Sequence, residues 1–161
     1  RSPSDFDSSD QRITETICHA ACTIASEFKA VHFNGKIVVI TNEGRAARLI
    51  SKYRPDLPIL AFSESERTVR ELAMVWGVRA HHSADILQDL PLEERAMVAI
   101  QTAKDIGYLE PSDDKVCIIS ASMYTGAGYF TGIYDLNALK VYQRSSTIKS
   151  GTGKSGRASM I

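Results

Sequence analysis

The chain of 161 residues lacks a long apolar run: no stretch of about 18 apolar residues occurs, so the sequence predicts no segment that spans a bilayer. Its first residues, from Arg1 to Asp7, also lack the apolar stretch of a signal peptide. Neither sign of charge predominates, because 19 basic and 19 acidic residues give a formal net charge of zero. A balanced chain offers no electrostatic case for a nucleic acid or an anionic membrane as partner.

Cysteine is scarce, and three residues make a poor disulfide framework. We therefore expect a reducing compartment and a cytoplasmic location. Cys18 and Cys22 are four residues apart and share one face of a helix. Together with His81 or His82 they could hold zinc. The alternative is that small thiols fill a contact between helix and sheet, and the lack of a second close-spaced ligand pair favours it.

Several catalytic signatures are also missing. No G-x-G-x-x-G follows the first predicted strand, which argues against a Rossmann-like enzyme. No Ser-His-Asp or Cys-His constellation is visible in the sequence. Residues 151–155 resemble half a P-loop, but Ile148 stands where that motif has a glycine and no buried strand precedes it. A solvated basic tail is the favoured interpretation of this segment.

What the sequence does contain is a regular alternation of strands and helices. Apolar residues at helical spacing predict a first helix over residues 10–30, with Ser8 and Gln11 as a capping box. Further helices are predicted to open at Gly44, at a capping box of Ser63 and Glu66, and at Asp89. Short apolar runs predict strands at 37–41, 58–62, 78–81, 116–120 and 129–136.

This alternation predicts an α/β fold, a three-layer sandwich with a mostly parallel five-stranded sheet and helices on both faces. We place the last strand at an edge of the sheet, where it could run antiparallel to its neighbour. We divide the chain into a linker at 1–9, the domain at 10–142, and a flexible or peripherally docked tail at 143–161. Ligands of such sheets bind beyond the carboxyl ends of the strands, where glycine-containing loops follow at 41–44 and 121–128.

Residues 40–55, Ile-Thr-Asn-Glu-Gly-Arg-Ala-Ala-Arg-Leu-Ile-Ser-Lys-Tyr-Arg-Pro, closely resemble the start of the C-terminal domain of pyruvate kinases. That family shows a Thr-x-x-Gly loop and then a helix that ends in Ser/Ala-Lys/Arg-Tyr-Arg-Pro. The strand at 58–62 and the block Trp76-Gly-Val78 fit the next elements of the family. The helix at 11–30 resembles the one that joins this domain to the catalytic barrel. The resemblance covers residues 8–136 and is weakest in the last third.

The resemblance implies a regulatory and subunit-assembly domain of a pyruvate kinase, without a catalytic centre of its own. In this family a separate barrel transfers the phosphoryl group of phosphoenolpyruvate to ADP, with Mg²⁺ and a monovalent cation such as K⁺. The implied partners are that barrel, further copies of the chain in a tetramer, and a sugar-phosphate effector. A stand-alone α/β protein that binds a small phosphorylated ligand is the alternative.

The effector site of the family implies eight candidate residues on the two loops: Thr41, Asn42, Glu43, Gly44, Arg45, Thr125, Gly126 and Gly128. A phosphate needs backbone N–H groups at a helix start, hydroxyls and a cation, which the first loop contains. Glu43, however, stands where the family often has a hydroxyl residue, and its carboxylate would repel a phosphate. The alternatives are that Gly44 and Arg45 serve only the turn and the surface, or that the effector is not fructose bisphosphate.

Overall fold

The computed structural model describes residues 3–84, 90–121 and 129–139. Four helices and five strands follow one another in these ranges: α1 Pro3–Ala30, β1 Gly35–Thr41, α2 Arg45–Lys52, β2 Ile59–Ser63, α3 Glu66–Leu72, β3 Val78–His82, α4 Leu92–Asp105, β4 Lys115–Ala121 and β5 Tyr129–Asp135. The strand order is β3-β2-β1-β4-β5. Strands β1 to β4 are parallel, and β5 pairs antiparallel with β4. The predicted fold class is confirmed, including the direction of the last strand.

The central strand β1 is buried on both faces because its apolar residues are continuous rather than alternating. Val38 and Ile40 contribute to one core cluster, and Ile37 and Val39 to the other. Successive side chains of a strand point to opposite faces, so an unbroken β-branched run supplies both cores at once. This is the pattern that a sheet covered by helices on both sides requires.

The helices form the two outer layers. Residues of α1, α2 and α3 pack on the face of Ile37 and Val39, and α4 covers the face of Val38 and Ile40. Helix α4 presents mainly small residues to the sheet, with Ala96, Ala99 and Ala103 buried. None of the helices that the structure describes is long and apolar enough to cross a membrane.

At the amino edge of the sheet, α1 reaches β1 through a close contact. A Cβ on Gly35 would lie 2.7 Å from the Phe28 ring and 3.0 Å from the Lys115 carbonyl oxygen, so only glycine fits. The neighbouring Lys36 ammonium lies 2.6 Å from the Asp113 carboxylate. Asp113 is itself 5 % exposed, so this ion pair fixes the start of β1 against the loop before β4.

Several predicted boundaries are wrong. Helix α1 begins at Pro3, so Ser8 lies inside the helix and does not cap it. Ser65, not Ser63, is the N-cap of α3, and its hydroxyl accepts a hydrogen bond from the Thr68 amide. Helix α3 ends at Leu72, so Trp76 lies outside it and is 51 % exposed. Each error follows from competing polar residues or from apolar side chains that continue the helical spacing beyond the helix.

Candidate functional site

The two predicted ligand loops begin side by side at the carboxyl edge of the sheet. Strands β1 and β4 are parallel neighbours, and Thr41 is in register with Ala121. The chain leaves β1 toward β2 and β3 and later returns to β4 on the other side, which makes this the topological switch point of the sheet. Of the candidate residues, Thr41 to Arg45 are placed here. Thr125, Gly126 and Gly128 lie outside the described residues.

The first loop is a tight turn that only glycine can complete. Gly44 has a φ of +80°, and a Cβ there would lie 3.0 Å from the Leu72 side chain. Its amide donates to Thr41 Oγ1 at 3.0 Å. Thr41 is only 3 % exposed, so its hydroxyl closes the turn. The structure therefore gives Thr41 and Gly44 a part in shaping the loop and in presenting the first N–H groups of α2.

Asn42 is anchored through its main chain. Its carbonyl oxygen accepts hydrogen bonds from Ser63 Oγ at 3.0 Å and from Thr68 Oγ1 at 2.9 Å. The side-chain Oδ1 is buried and has no hydrogen-bond partner among the described residues. Hydrogen bonds from β2 and α3 thus fix the main chain of the loop, and they thereby fix the start of α2.

The Glu43 carboxylate forms no ion pair with Arg45 or Arg48, two cations of the neighbouring helix α2. Arg48 Nη1 instead donates to the main-chain oxygen of Glu43 at 3.0 Å. Arg48 Nη2 also contacts Glu71 at 3.1 Å, and Glu71 accepts from Arg67 Nε at 2.8 Å. The hydrogen bond from Arg67, followed by that from Arg48, lowers the pKa of Glu71.

Beside this network lies an open cavity of about 540 Å³ between the first loop and α3. Its lining includes Glu43, Glu64 and Glu71 together with one basic residue, Arg67. Arg67 already pairs with Glu71, so acidic groups outnumber the remaining positive charge and the cavity disfavours a phosphate. An anion at the start of α2 is therefore expected to lie away from it, on the side of β4.

On that side the structure contains a buried arginine that sequence reasoning missed. Arg95 lies in the first turn of α4, which runs from the carboxyl edge after β3 to the amino edge before β4. The residue is 1 % exposed. Its Nη2 donates to the Leu90 carbonyl oxygen at 3.3 Å, whereas Nε and Nη1 have no partner within the described ranges. A buried guanidinium with free donors is costly unless an anion joins it.

Ser120, like Arg95, has a buried polar atom without a hydrogen-bond partner among the described residues, and it lies on the face of the sheet that α4 covers. It is the penultimate residue of β4, it is 2 % exposed, and its Oγ has no hydrogen-bond partner among the described residues. Val116 and Ile118, which alternate with it along β4, belong to the core cluster that α4 covers. The carboxyl edge thus combines an exposed guanidinium at Arg45, a buried one at Arg95, the free hydroxyl of Ser120 and the start of α2.

Comparison with known proteins shows to which family this chain belongs. A family model described as pyruvate kinase, alpha/beta domain, matches residues 15–131. The chain belongs to this pyruvate kinase family.

Individual relatives agree with the family assignment. The chain is 33% identical over 156 residues to a pyruvate kinase of Staphylococcus aureus (strain USA300), which covers 93% of the chain and 24% of the relative. It is 31% identical over 130 residues to a pyruvate kinase of Clostridium acetobutylicum, covering 80% and 24%. It is 33% identical over 117 residues to one from Leishmania mexicana, covering 71% and 22%. The chain therefore spans about a quarter of the length of the pyruvate kinases that it matches.

The three thiols of this pyruvate kinase domain lie in or beside the core beneath α1. Cys18 and Cys117 are fully buried, and Cys18 Sγ lies 3.7 Å from the Ala46 carbonyl oxygen of α2. Burial raises the pKa of Cys18 to about 12 and that of Cys117 to about 11. Within the described residues no group of His, Cys, Asp or Glu could hold a metal ion. This arrangement agrees with the packing alternative for Cys18 and Cys22.

One sequence signal could have found Arg95. Small and apolar residues at helical spacing, among them Ala99 and Ala103, form one stripe of α4, and Arg95 occupies the same stripe one helical turn before Ala99. A charged residue at a core-facing position of an amphipathic helix indicates either a buried pair or a ligand contact. For Ser120 the sequence offers no comparable signal, since a serine commonly ends a strand.

Proposed function

We propose that this chain is the regulatory and subunit-assembly domain of a cytoplasmic pyruvate kinase, and that it binds a phosphorylated effector at the carboxyl edge of its sheet. The parent protein would transfer the phosphoryl group of phosphoenolpyruvate to ADP in a catalytic barrel outside this sequence, with Mg²⁺ and K⁺. The chain itself would hold no catalytic centre. The match of residues 15–131 to the alpha/beta domain of pyruvate kinases supports this function.

The observation that carries the effector site is the buried guanidinium of Arg95, whose Nε and Nη1 have no hydrogen-bond partner among the described residues. A phosphate placed between α4 and the start of α2 would accept hydrogen bonds from Nε and Nη1 and would restore the charge balance of a buried cation. Arg45 is exposed, forms no ion pair among the described residues, and would approach the same anion from the solvent side. The N–H groups at the start of α2 would add a favourable dipole.

Glu43 and the carboxylate-lined cavity limit the kind of effector. A sugar phosphate with one phosphate near Arg95 fits the charges better than a bisphosphate whose second phosphate approaches Glu43. The candidate residues would therefore have four different roles. Thr41, Asn42 and Gly44 would shape the loop, Arg45 would bind the anion, and Glu43 would oppose a second anion. Thr125, Gly126 and Gly128 would complete the site from the second loop.

Isothermal titration calorimetry of the chain with fructose 1,6-bisphosphate, glucose 6-phosphate and unphosphorylated glucose tests this function. We expect the phosphorylated sugars to bind and glucose to produce no heat. Arg45→Ala should weaken binding by about 1–3 kcal/mol, the scale of a charge-assisted hydrogen bond. Arg70→Ala is the matched control, because Arg70 is exposed in the last turn of α3, at the opposite edge of the sheet. Equal affinities for the Arg45 and Arg70 variants would move the site elsewhere.

A further inference from the structure

The main-chain oxygen of Asn42, in the first loop, is held by two hydroxyl groups from outside that loop. Ser63, the last residue of β2, donates from Oγ at 3.0 Å, and Thr68 of α3 donates from Oγ1 at 2.9 Å. Ser63 and Thr68 are both buried, and hydrogen bonds that are shielded from water are electrostatically stronger. A carbonyl oxygen has two lone pairs, and both of those of Asn42 are thus used within the protein.

Thr68 has a fixed position of its own in α3. Its amide donates to Ser65 Oγ at 3.2 Å, which is the N-cap contact of this helix. The methyl group of Thr68 also lies against the loop, because a Cβ on Gly44 would be 3.2 Å from Thr68 Cγ2. One side chain of α3 therefore holds the loop at two points, through its hydroxyl group at Asn42 and through its methyl group at Gly44.

The next two carbonyl oxygens of the loop also accept hydrogen bonds from the protein. That of Glu43 accepts from Arg48 Nη1 at 3.0 Å, and that of Gly44 accepts from the Arg48 amide at 3.0 Å. The N–H groups of residues 45–47 have no preceding helical turn to donate to, and they belong to the proposed anion site. A peptide plane that rotated in this loop would turn a carbonyl dipole toward the anion and weaken its binding, since such sites depend on oriented N–H groups.

We propose that Thr68 is a positioning residue of the effector site, whose hydroxyl group keeps the first loop in the conformation that binds an anion. This inference rests on the proposed effector site and adds to it a dependence on a side chain that does not touch the ligand. Thr68 lines the cavity between the loop and α3, whereas the anion is placed on the other side of the loop, toward β4. A loop that is ordered in advance spares the ligand the entropic cost of ordering it, and the affinity rises accordingly.

Two substitutions separate the hydroxyl group of Thr68 from its methyl group. Thr68→Val keeps the shape and the methyl contact but removes the donor, whereas Thr68→Ser keeps the donor. Thr102→Val is the matched control, because Thr102 Oγ1 donates to the Val98 carbonyl oxygen at 2.8 Å within α4 and does not contact the loop. Ser63 is less suitable for substitution, since its Oγ also accepts from the Ser65 amide at 3.2 Å and its loss would disturb the start of α3.

Isothermal titration calorimetry with glucose 6-phosphate gives the affinity of each variant. We expect Thr68→Val to bind about fivefold more weakly than the wild type, the scale of one neutral hydrogen bond, and Thr68→Ser and Thr102→Val to bind within about twofold of it. Equal affinities of Thr68→Val and wild type would overturn the proposal. An equal loss in Thr68→Ser or in Thr102→Val would overturn it too, since the methyl group or a general loss of stability would then be the cause. A wild type that binds no phosphorylated sugar would refute the effector site itself, and this inference with it.

Hydrogen exchange of the ligand-free chain adds a measurement that a general loss of stability would not reproduce. Thr68→Val should raise the exchange rates of the amides at 43–45 severalfold more than those of β1, because only the loop loses a contact. Thr68→Ser should leave the exchange rates of the loop close to those of the wild type. A rise in Thr68→Val that is no larger in the loop than in β1 would contradict the proposal, because it would report only a lower global stability.

Discussion

Replacement of the buried arginine by methionine should stabilise the ligand-free chain. Arg95 Nε and Nη1 have no partner among the described residues, and Nη2 makes one long hydrogen bond of 3.3 Å to Leu90. Methionine fills a similar volume without a charge. Replacing a buried ionic group by a packed apolar side chain gains about 1–4 kcal/mol, and loss of the Leu90 contact costs about 1 kcal/mol. We therefore expect Arg95→Met to raise the free energy of unfolding by up to about 3 kcal/mol.

The same replacement should abolish stabilisation by the effector. A ligand at 100 times its dissociation constant stabilises the native state by about 2.7 kcal/mol. Two lost charge-assisted hydrogen bonds would weaken binding by roughly a hundredfold, so that the same ligand concentration stabilises the variant by only about 0.4 kcal/mol. The variant would thus be more stable without ligand and nearly insensitive to it.

Urea unfolding with and without a sugar phosphate measures both effects. Trp76 is the single tryptophan of the chain, so tryptophan fluorescence, excited where tyrosine does not absorb, reports unfolding from one position. Arg70→Met serves as control, because Arg70 is exposed and pairs only loosely with Glu66 at 3.8 Å. The reasoning is refuted if Arg95→Met lowers the ligand-free stability by more than about 1 kcal/mol, which would mean that the guanidinium already contributes favourable contacts. Equal ligand effects in wild type and variant would refute it as well.

Three further outcomes are expected. Glu43→Ser should raise the affinity for a bisphosphorylated sugar by about tenfold at low salt and by less at high salt, because the repulsion that it removes is electrostatic. Calorimetry at two ionic strengths measures this change. Equal affinities of wild type and variant at low salt would show that Glu43 does not oppose the ligand. Asp113→Asn should lower the free energy of unfolding by about 3 kcal/mol, because it leaves the Lys36 ammonium without its buried partner. Asp56→Asn, in the exposed pair with Lys29, should lower it by less than about 1 kcal/mol. Comparable losses in the two variants would contradict the larger contribution of the buried pair. The chain alone should form no pyruvate from phosphoenolpyruvate and ADP, and turnover above a mock preparation would contradict the proposed absence of a catalytic centre.

The parallel direction of the first four strands could be predicted from the sequence because the physical signals were local, whereas their order in the sheet comes from the structure. A continuous run such as 37–40 can only be buried on both faces, and the helices between such runs impose parallel crossovers. Helix ends were less predictable. The hydroxyls of Ser63 and Ser65 compete for the same cap, and only the tertiary position of Asn42, whose carbonyl oxygen binds Ser63, decides between them.

The candidate site was predictable in its location but not in its full composition. The loop 41–44 was identified by its glycine and by its position after a buried strand. Arg95 is distant in sequence from this loop, and although its place on the apolar stripe of α4 indicates burial, no local pattern specifies that it lies at the same edge of the sheet as the loop. The unpaired state of Glu43 was likewise undecidable, because Arg48 could reach either its carboxylate or its main-chain oxygen, and the structure shows the latter.

Amide and side-chain NMR of the isotopically labelled chain, titrated with a phosphorylated sugar, tests the central claim most directly. The account predicts chemical-shift changes at the amides of residues 44–47, at the start of α2, and at the Arg95 Nε–H group, with none at residues of the amino edge such as Phe33 and Trp76. Changes confined to the amino edge, or no change at Arg95 when the ligand binds, would contradict an effector site at the carboxyl edge of this pyruvate kinase domain.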